Sequence, residues 1–575
     1  MKVFRLKVKC SALLLLLIIV FFNSCTDGTG FFGNKLKKFE GGNKVLRVCQ
    51  AFPVKSLDFR QITAISDANI TSLHTDCLFQ TDPQTFSVIP HLVEKYEVNE
   101  KEKTLKLELK KGVYFHYYEE TGTEPVELTA EDVKFSFDLL CTNEDGNVQY
   151  AVIAKDRIFG AKEAYEESGK NGGKLADVKG IKILDKYTLE FKLLNSPYSF
   201  MEILSYPGAS IISKYYYNSI KKQVGTGPFI PVFKDDYSQS IHFYKNVNYF
   251  KKDKKGNPLP YLDSVVNYFV NNSEDAWLGF ESGKFDIITY FPANKLKKIV
   301  EENITSFKTV PPKYVVQRNM GFQIDYLSFN VHKYPFNQLK IRKAIAHAIN
   351  KDVLIEKALY GQAYGPAEHG FVPPVFKNYH TDSVAGIPFN PTEAQKLLNE
   401  AGIKDGSSLG ELTMYVGNNF SINSLVAAEI QRQLKENLNI NITFESLEPH
   451  LKLLLQSQGI GHMYKDGWVA DYPNPESFIT CFYSKFIPQD TLAFSYPNFT
   501  RYRNPVFDEY YEKGRDVADP KLSMYYFKKA DETLVNDVAG IPLWYNNDYI
   551  LLKSNLKNLN ISPLKIYNFS QIDKE

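Results

Sequence analysis

The sequence predicts an α/β protein of two or three domains, and three observations carry that expectation. The 575 residues exceed the roughly 250 to 300 at which one hydrophobic core stops growing. Short segments of strictly alternating apolar and polar residues are interleaved with helical patterns that carry capping residues at one end and glycine at the other. No internal repeat is detectable, so a solenoid is not expected.

The chain opens on an export signal. Lys2, Arg5, Lys7 and Lys9 form a positive region, Leu13 to Phe22 is an uninterrupted apolar run, and Asn23-Ser24-Cys25 follows. That run is about half of the roughly 20 residues a spanning helix needs, so a signal over residues 1–24 is the reading and an uncleaved anchor its competitor. A small residue followed by Cys25 resembles the lipobox of bacterial lipoproteins, whose cysteine is diacylated; Phe22 stands where Leu is usual. Two acyl chains anchor stably where one does not. Residues 25–43 then read as the lipidated Cys and a polar, glycine-containing tether.

The folded body begins near Val45. From Thr104, TLKLELK puts Leu105, Leu107 and Leu109 on one face, and from Thr188, TLEFKLL does the same with Leu189, Phe191 and Leu193. Between them Thr129 and Asp132 have capping-box spacing ahead of Val133, Phe137 and Leu140. EESGKNGGK, ending at Lys174, reads as a surface loop. In the second half, Asn337 is expected to cap one helix that Gly361 stops, and Asn390, Pro391 and Gly402 bound another. LTMYV and NITFES read as strands, and Gly459 to Gly467 as a turn.

Composition narrows the function classes. Lys and Arg number 68 against 66 Asp and Glu, a formal charge of +2 without long charged blocks, so no nucleic-acid partner is expected. Phe and Tyr number 41 and 37, surface suited to cores and to wide clefts. No GxSxG, GxxxxGK[ST], HExxH or paired-cysteine motif occurs. His116, His369, His380, His450 and His462 are scattered, as are Cys49, Cys77, Cys141 and Cys481, which read as buried thiols or at most one or two bridges. Neither an enzyme, a metal site nor a cofactor is expected.

Six stretches, in order along the chain, resemble those of the bacterial extracellular solute-binding proteins of the dipeptide and oligopeptide type (family 5), the lipoprotein receptors that feed ABC importers. They are LKKGVYF with LTAEDVKFSFD (109–138), VGTGPF (224–229), NYFKKDKKGNPLPYLDSV (248–265), PFNQLKIRKAIAHAINKD (335–352), GWVADYPNPESF (467–478) and AGIPLWYNN (539–547). The resemblance implies a periplasmic-binding-protein type II-like fold: two lobes built from three domains, with a hinge and a ligand cleft. Domain I would be discontinuous (44–70, 225–310 and 541–575), domain II would span 71–224 and domain III 311–540. Gly225 and Gly227, around Thr226 and ahead of Pro228, are the hinge candidates.

The site expectation centres on Asp471. A carboxylate in a desolvated cleft is costly unless paired or hydrogen-bonded, and every unblocked peptide brings an α-ammonium. The resemblance assigns Asp471 to that ammonium and Trp468 to the bordering aromatic wall. It places Lys465 where a relative can carry an Arg for the ligand carboxylate; Lys supplies the charge without the bidentate fork. The competing reading of Asp471 is a turn or helix cap before Pro473, and that of Lys465 a solvated charge. Tyr472 reads as packing. The implied function is capture of short peptides by an exported monomer, anchored by lipid and facing the periplasm or cell surface, for delivery to an ABC permease. The alternatives are a nickel complex, haem or oligosaccharide on the same fold, or a secreted hydrolase.

Overall fold

The computed structural model describes residues 42–82, 85–118, 124–234, 236–292, 294–296, 314–376, 378–418, 421–490, 493–559, 564–567 and 569–575. The export signal, Cys25 and nearly all of the expected tether lie outside the described residues.

Two long antiparallel strands, Tyr314–Phe329 and Gly540–Lys553, form the centre of an eleven-stranded mixed sheet. On one side of them lie Met463–Val469, Glu411–Gly417 and Asn441–Leu447; on the other lie Ile287–Ile288, Val45–Gln50, Ser264–Phe269, Ser240–Lys245 and Phe229–Pro231, and the eleventh strand, Ala363–Pro366, pairs with Gly540–Lys553 outside this order. The two long strands pair with each other and so join the two halves of this sheet. A separate antiparallel sheet is made of Val93–Asn99, Thr104–Leu109, Thr188–Lys192 and Ile181–Ile183.

Each region has its own core. Leu105, Leu107, Phe137, Phe191 and Tyr216 pack under the four-stranded sheet. Leu46, Phe243, Val265 and Ile550 fill the region beside the N-terminal strand. Phe329, Ile345, Met414 and Ile430 form one cluster in the other half, and Phe322, Phe371, Phe482 and Tyr511 a second. The two lobes are thus the one that holds the four-stranded sheet and the one that holds Met463–Val469.

Local chemistry accounts for most helix starts. Ala130–Leu140 begins where the Asp132 carboxylate accepts the Thr129 N–H at 3.0 Å, the expected capping box. Pro391–Glu400 starts with Asn390 Oδ1 accepting the Glu393 N–H at 3.0 Å. The expected single helix from Asn337 to Gly361 is instead two, Leu339–Ala348 and Lys351–Leu359. Gln338, not Asn337, precedes the first. The break comes from Asn350, whose side chain accepts the Val353 N–H at 3.0 Å and restarts the helix. EESGK is not loop: the helix Ala161–Lys170 runs through it, with Gly169 packed against Asn143. The turn expected over 459–467 ends early, because a strand begins at Met463.

Candidate functional site

Met463–Val469 runs antiparallel to Tyr314–Phe329, with Trp468 opposite Ile324 and Lys465 opposite Leu327. Side chains alternate along a strand, so residues three apart point to opposite faces. Lys465 and Trp468 are therefore not brought together.

Lys465 ion-pairs with Asp325, and its Nζ lies 5.1 Å from the centre of the Trp544 ring. Asp325 is 3% exposed; its other oxygen accepts from Gln323 Nε2 at 3.0 Å and Asn546 Nδ2 at 2.5 Å. The Lys465 charge is thus already neutralised. Gln323 continues the chain to Lys565, which pairs with Asp548 at 2.7 Å. On the opposite face Asp466 is held by Lys452 at 2.5 Å, Gln456 and Ser328. Neither network was legible in the sequence, because its members are far apart along the chain and meet only through strand pairing.

Asp471 lies two residues beyond the end of that strand. Its backbone N–H donates to Ser477 Oγ at 2.9 Å, which fixes the turn. Its carboxylate accepts the Tyr206 hydroxyl from the other lobe. Burial pushes the Asp471 carboxyl up to about 7, and the Tyr206 hydrogen bond offsets only part of that rise. The residue nevertheless keeps some accessible surface and lies at the line between the lobes, where Tyr206 meets it. Trp468 stands beside it through Tyr496, the two ring centres 6.4 Å apart, and Tyr496 continues to Phe494 and Phe499 at 6.3 and 5.6 Å. The Trp468 indole N–H is buried without a hydrogen-bond partner among the described residues.

The residues after Asp471 cross between the lobes. Tyr472 is 1% exposed and sits in the core of the four-stranded-sheet lobe. Asn474 Nδ2 donates to Glu202 Oε2 at 2.6 Å, and Glu476 pairs with Arg157 Nη2 at 2.5 Å. Burial raises the Glu202 carboxyl to about 8. These contacts join the lobes.

At VGTGPF the two glycines are required by close approach. A Cβ on Gly225 would lie 2.2 Å from the His74 carbonyl oxygen, and one on Gly227 2.6 Å from the His74 carbonyl carbon. Neither adopts positive φ. Between them Thr226 Oγ1 donates to Asp76 Oδ2 at 2.8 Å, and Asp76 also pairs with His91 at 2.6 Å. The chain's two passages at this point are therefore packed backbone to backbone.

Among the described residues no group of three or more His, Cys, Asp or Glu is placed to hold a metal. Cys49, Cys77, Cys141 and Cys481 are free and buried. No described helix is long and apolar enough to cross a membrane.

Residues 87–489 match the family described as bacterial extracellular solute-binding proteins, family 5 Middle. The dipeptide-binding protein of Escherichia coli K12 is 24% identical over 501 residues, covering 85% of this chain and 87% of the relative. Heme-binding protein A of Haemophilus influenzae is 25% identical over 490 residues, covering 82% of each. Among solved structures, the periplasmic binding protein DppA of Helicobacter pylori in complex with peptide STSA superposes with a TM-score of 0.79 at 24% identity, over 94% of this chain and 100% of that one. The dipeptide-binding protein of Pseudoalteromonas sp. SM9913 in complex with Met-Leu gives 0.78 at 22% identity, over 92% and 100%. The solved structures share the type II-like, two-lobed fold. With the match spanning most of its length, the chain belongs to the bacterial extracellular solute-binding proteins of family 5.

Proposed function

We propose that this protein captures short peptides by closing its two lobes around them and delivers them to an ABC permease, held at the membrane by a lipid on Cys25. The observation that supports the peptide reading is Asp471: a carboxylate at the line between the lobes, raised by burial to about 7, with a tyrosine hydroxyl and no cation against it among the described residues. Such a group is stabilised by a ligand that brings a positive charge, and the α-ammonium of a peptide is the one positive charge common to all of them.

Trp468 and Tyr496 supply a wall for the first residues of the ligand. Lys465 is the weakest member of the expected set, because Asp325 already neutralises it; the site then recognises the amino end and leaves the carboxyl end unread there. The relatives named above that bind dipeptides support the cargo, and family membership supports a binding role without catalysis. The glycines at 225 and 227 serve as a fixed crossing beside which the lobes move.

Haem is the second reading, carried by the Haemophilus relative, which is 25% identical to this chain where the Escherichia coli dipeptide-binding protein is 24%. Native mass spectrometry of freshly purified protein separates the two: copurified masses in the peptide range support the proposal, and a single mass with haem absorbance overturns it.

A further inference from the structure

We infer that Arg157 and Glu476 form a clasp that sets how long the closed, loaded state lasts, which makes both positioning residues for ligand retention; the inference rests on the lobe-closing reading above. Glu476 opens the short helix Glu476–Ile479, on the same turn that carries Asp471. Its Oε1 accepts from Arg157 Nη2 at 2.5 Å across the line between the lobes. Arg157 is 4% exposed and Glu476 0%.

Each partner is oriented by its own lobe before they meet. Arg157 Nε donates to the Val152 carbonyl at 3.2 Å, and the Tyr511 hydroxyl donates to Glu476 Oε1 at 2.7 Å. Glu476 Oε2 has no hydrogen-bond partner among the described residues; of the two cations that hold the Glu476 carboxyl down, Arg157 acts more strongly and reaches across from the other lobe, while Arg515 stands on Glu476's own lobe. Asn474 to Glu202 at 2.6 Å, Asn195 to Asp516 at 2.7 Å and Lys155 to the Lys485 carbonyl at 2.8 Å are further bonds across the same line.

The energetics make this a clasp and not a glue. Attraction between two buried ions roughly balances their loss of hydration, so the intact pair adds little net stability. Removing Arg157 leaves Glu476 buried with Arg515 alone, and removing Glu476 leaves the Arg157 Nη2 with the Tyr472 hydroxyl alone, whenever the lobes are shut; water takes the place of the lost partner when they open. The penalty therefore falls on the closed state alone. Ser477, the neighbour of Glu476, holds the Asp471 N–H, so the ligand's amine site and the clasp share one rigid turn. Closure on the amine and engagement of the clasp become a single step.

The test compares wild type, Arg157→Leu, Glu476→Leu, the double leucine variant and Arg157→Lys, using the peptide that wild type retains from a casein digest. Each single leucine variant is expected to release that peptide at least about tenfold faster, with an association rate within about twofold of wild type. The double variant, with both members of the pair gone, is expected to regain most of the retention, and Arg157→Lys to lose less than Arg157→Leu. Melting of the ligand-free protein is expected to stay unchanged. Unchanged release in both single variants, or a ligand-free melting point that falls as far as the loaded one, would overturn the clasp. Should wild type retain no peptide, the peptide reading fails separately. The clasp is then judged by small-angle scattering of the protein alone, where the single variants must be more open than wild type and the double variant must not.

Discussion

The Tyr206 hydroxyl meets the Asp471 carboxylate across the line between the lobes, and among the described residues no cation pairs with that carboxylate. A neutral donor from one lobe thus partly satisfies an acid from the other. The arrangement holds a raised carboxyl where a ligand's positive charge has the most to gain.

Removing that acid has a direct consequence. Asp471→Ala is expected to weaken peptide binding by about 30-fold or more, the range for losing one partner of a buried charge pair. Calorimetry with a peptide retained by wild type checks it. Affinity within threefold of wild type would return Asp471 to a turn-forming role through its bond to Ser477.

Acidification should favour closure of the empty protein. With the lobes apart, Asp471 is open to water and titrates near the ordinary value of about 4; closed, it titrates near 7. The closed state binds the proton more tightly, so closing gains as pH falls from about 7 to about 4, with no gain above that window and the full gain below it. Glu202, raised to about 8, and Asp67, also raised by burial, act in the same direction; Tyr206 and Tyr496 titrate well above this range. The scattering radius of ligand-free wild type is expected to shrink between about pH 8 and about pH 5, and Asp471→Asn to be more compact at the higher pH and less responsive. Equal response in both proteins would remove Asp471 from the account.

Lys465 should matter to folding and not to ligand length. Lys465→Met leaves Asp325 buried at 3% exposure without its cation, a change worth about 3 to 5 kcal/mol and visible as a lower melting point. Amidating the peptide's carboxyl end is expected to change wild-type affinity less than about threefold. An amide-sensitive wild type whose sensitivity disappears in Lys465→Met would restore Lys465 to the ligand.

The reach of the sequence follows from the range of the interactions involved. Capping at Thr129 with Asp132 and at Asn390 is decided within three residues, and alternation at Leu105, Leu107 and Leu109 within five, so these elements were readable. The helix break at Asn350 was not, because the apolar stripe runs on across it and the competing signal is one side-chain cap. Asp471 was singled out by its aromatic neighbours and by family resemblance, yet its Tyr206 partner lies in the other lobe. Arg157 carries no local signal: only the fold brings it to Glu476. Lys465 was assigned to the ligand carboxylate by resemblance alone, and its partner Asp325 lies 140 residues away, brought to it only by strand pairing.

The glycine pair offers a structural check. Gly227→Ala sets a Cβ 2.6 Å from the His74 carbonyl carbon and 2.8 Å from the Thr75 nitrogen, backbone atoms that cannot swing aside. A loss of about 1 to 3 kcal/mol is expected from such overpacking, read as a lower melting point. An unchanged melt would mean that the two passages are not packed as described.

The most direct measurement of the central claim is calorimetry of one peptide mixture with purified protein before and after N-acetylation. Acetylation removes the α-ammonium and leaves every other group in place. The account predicts that the binding heat disappears for the acetylated mixture while amidation of the carboxyl end leaves it intact. Equal heats with free and acetylated amino ends would contradict the amine-binding role of Asp471.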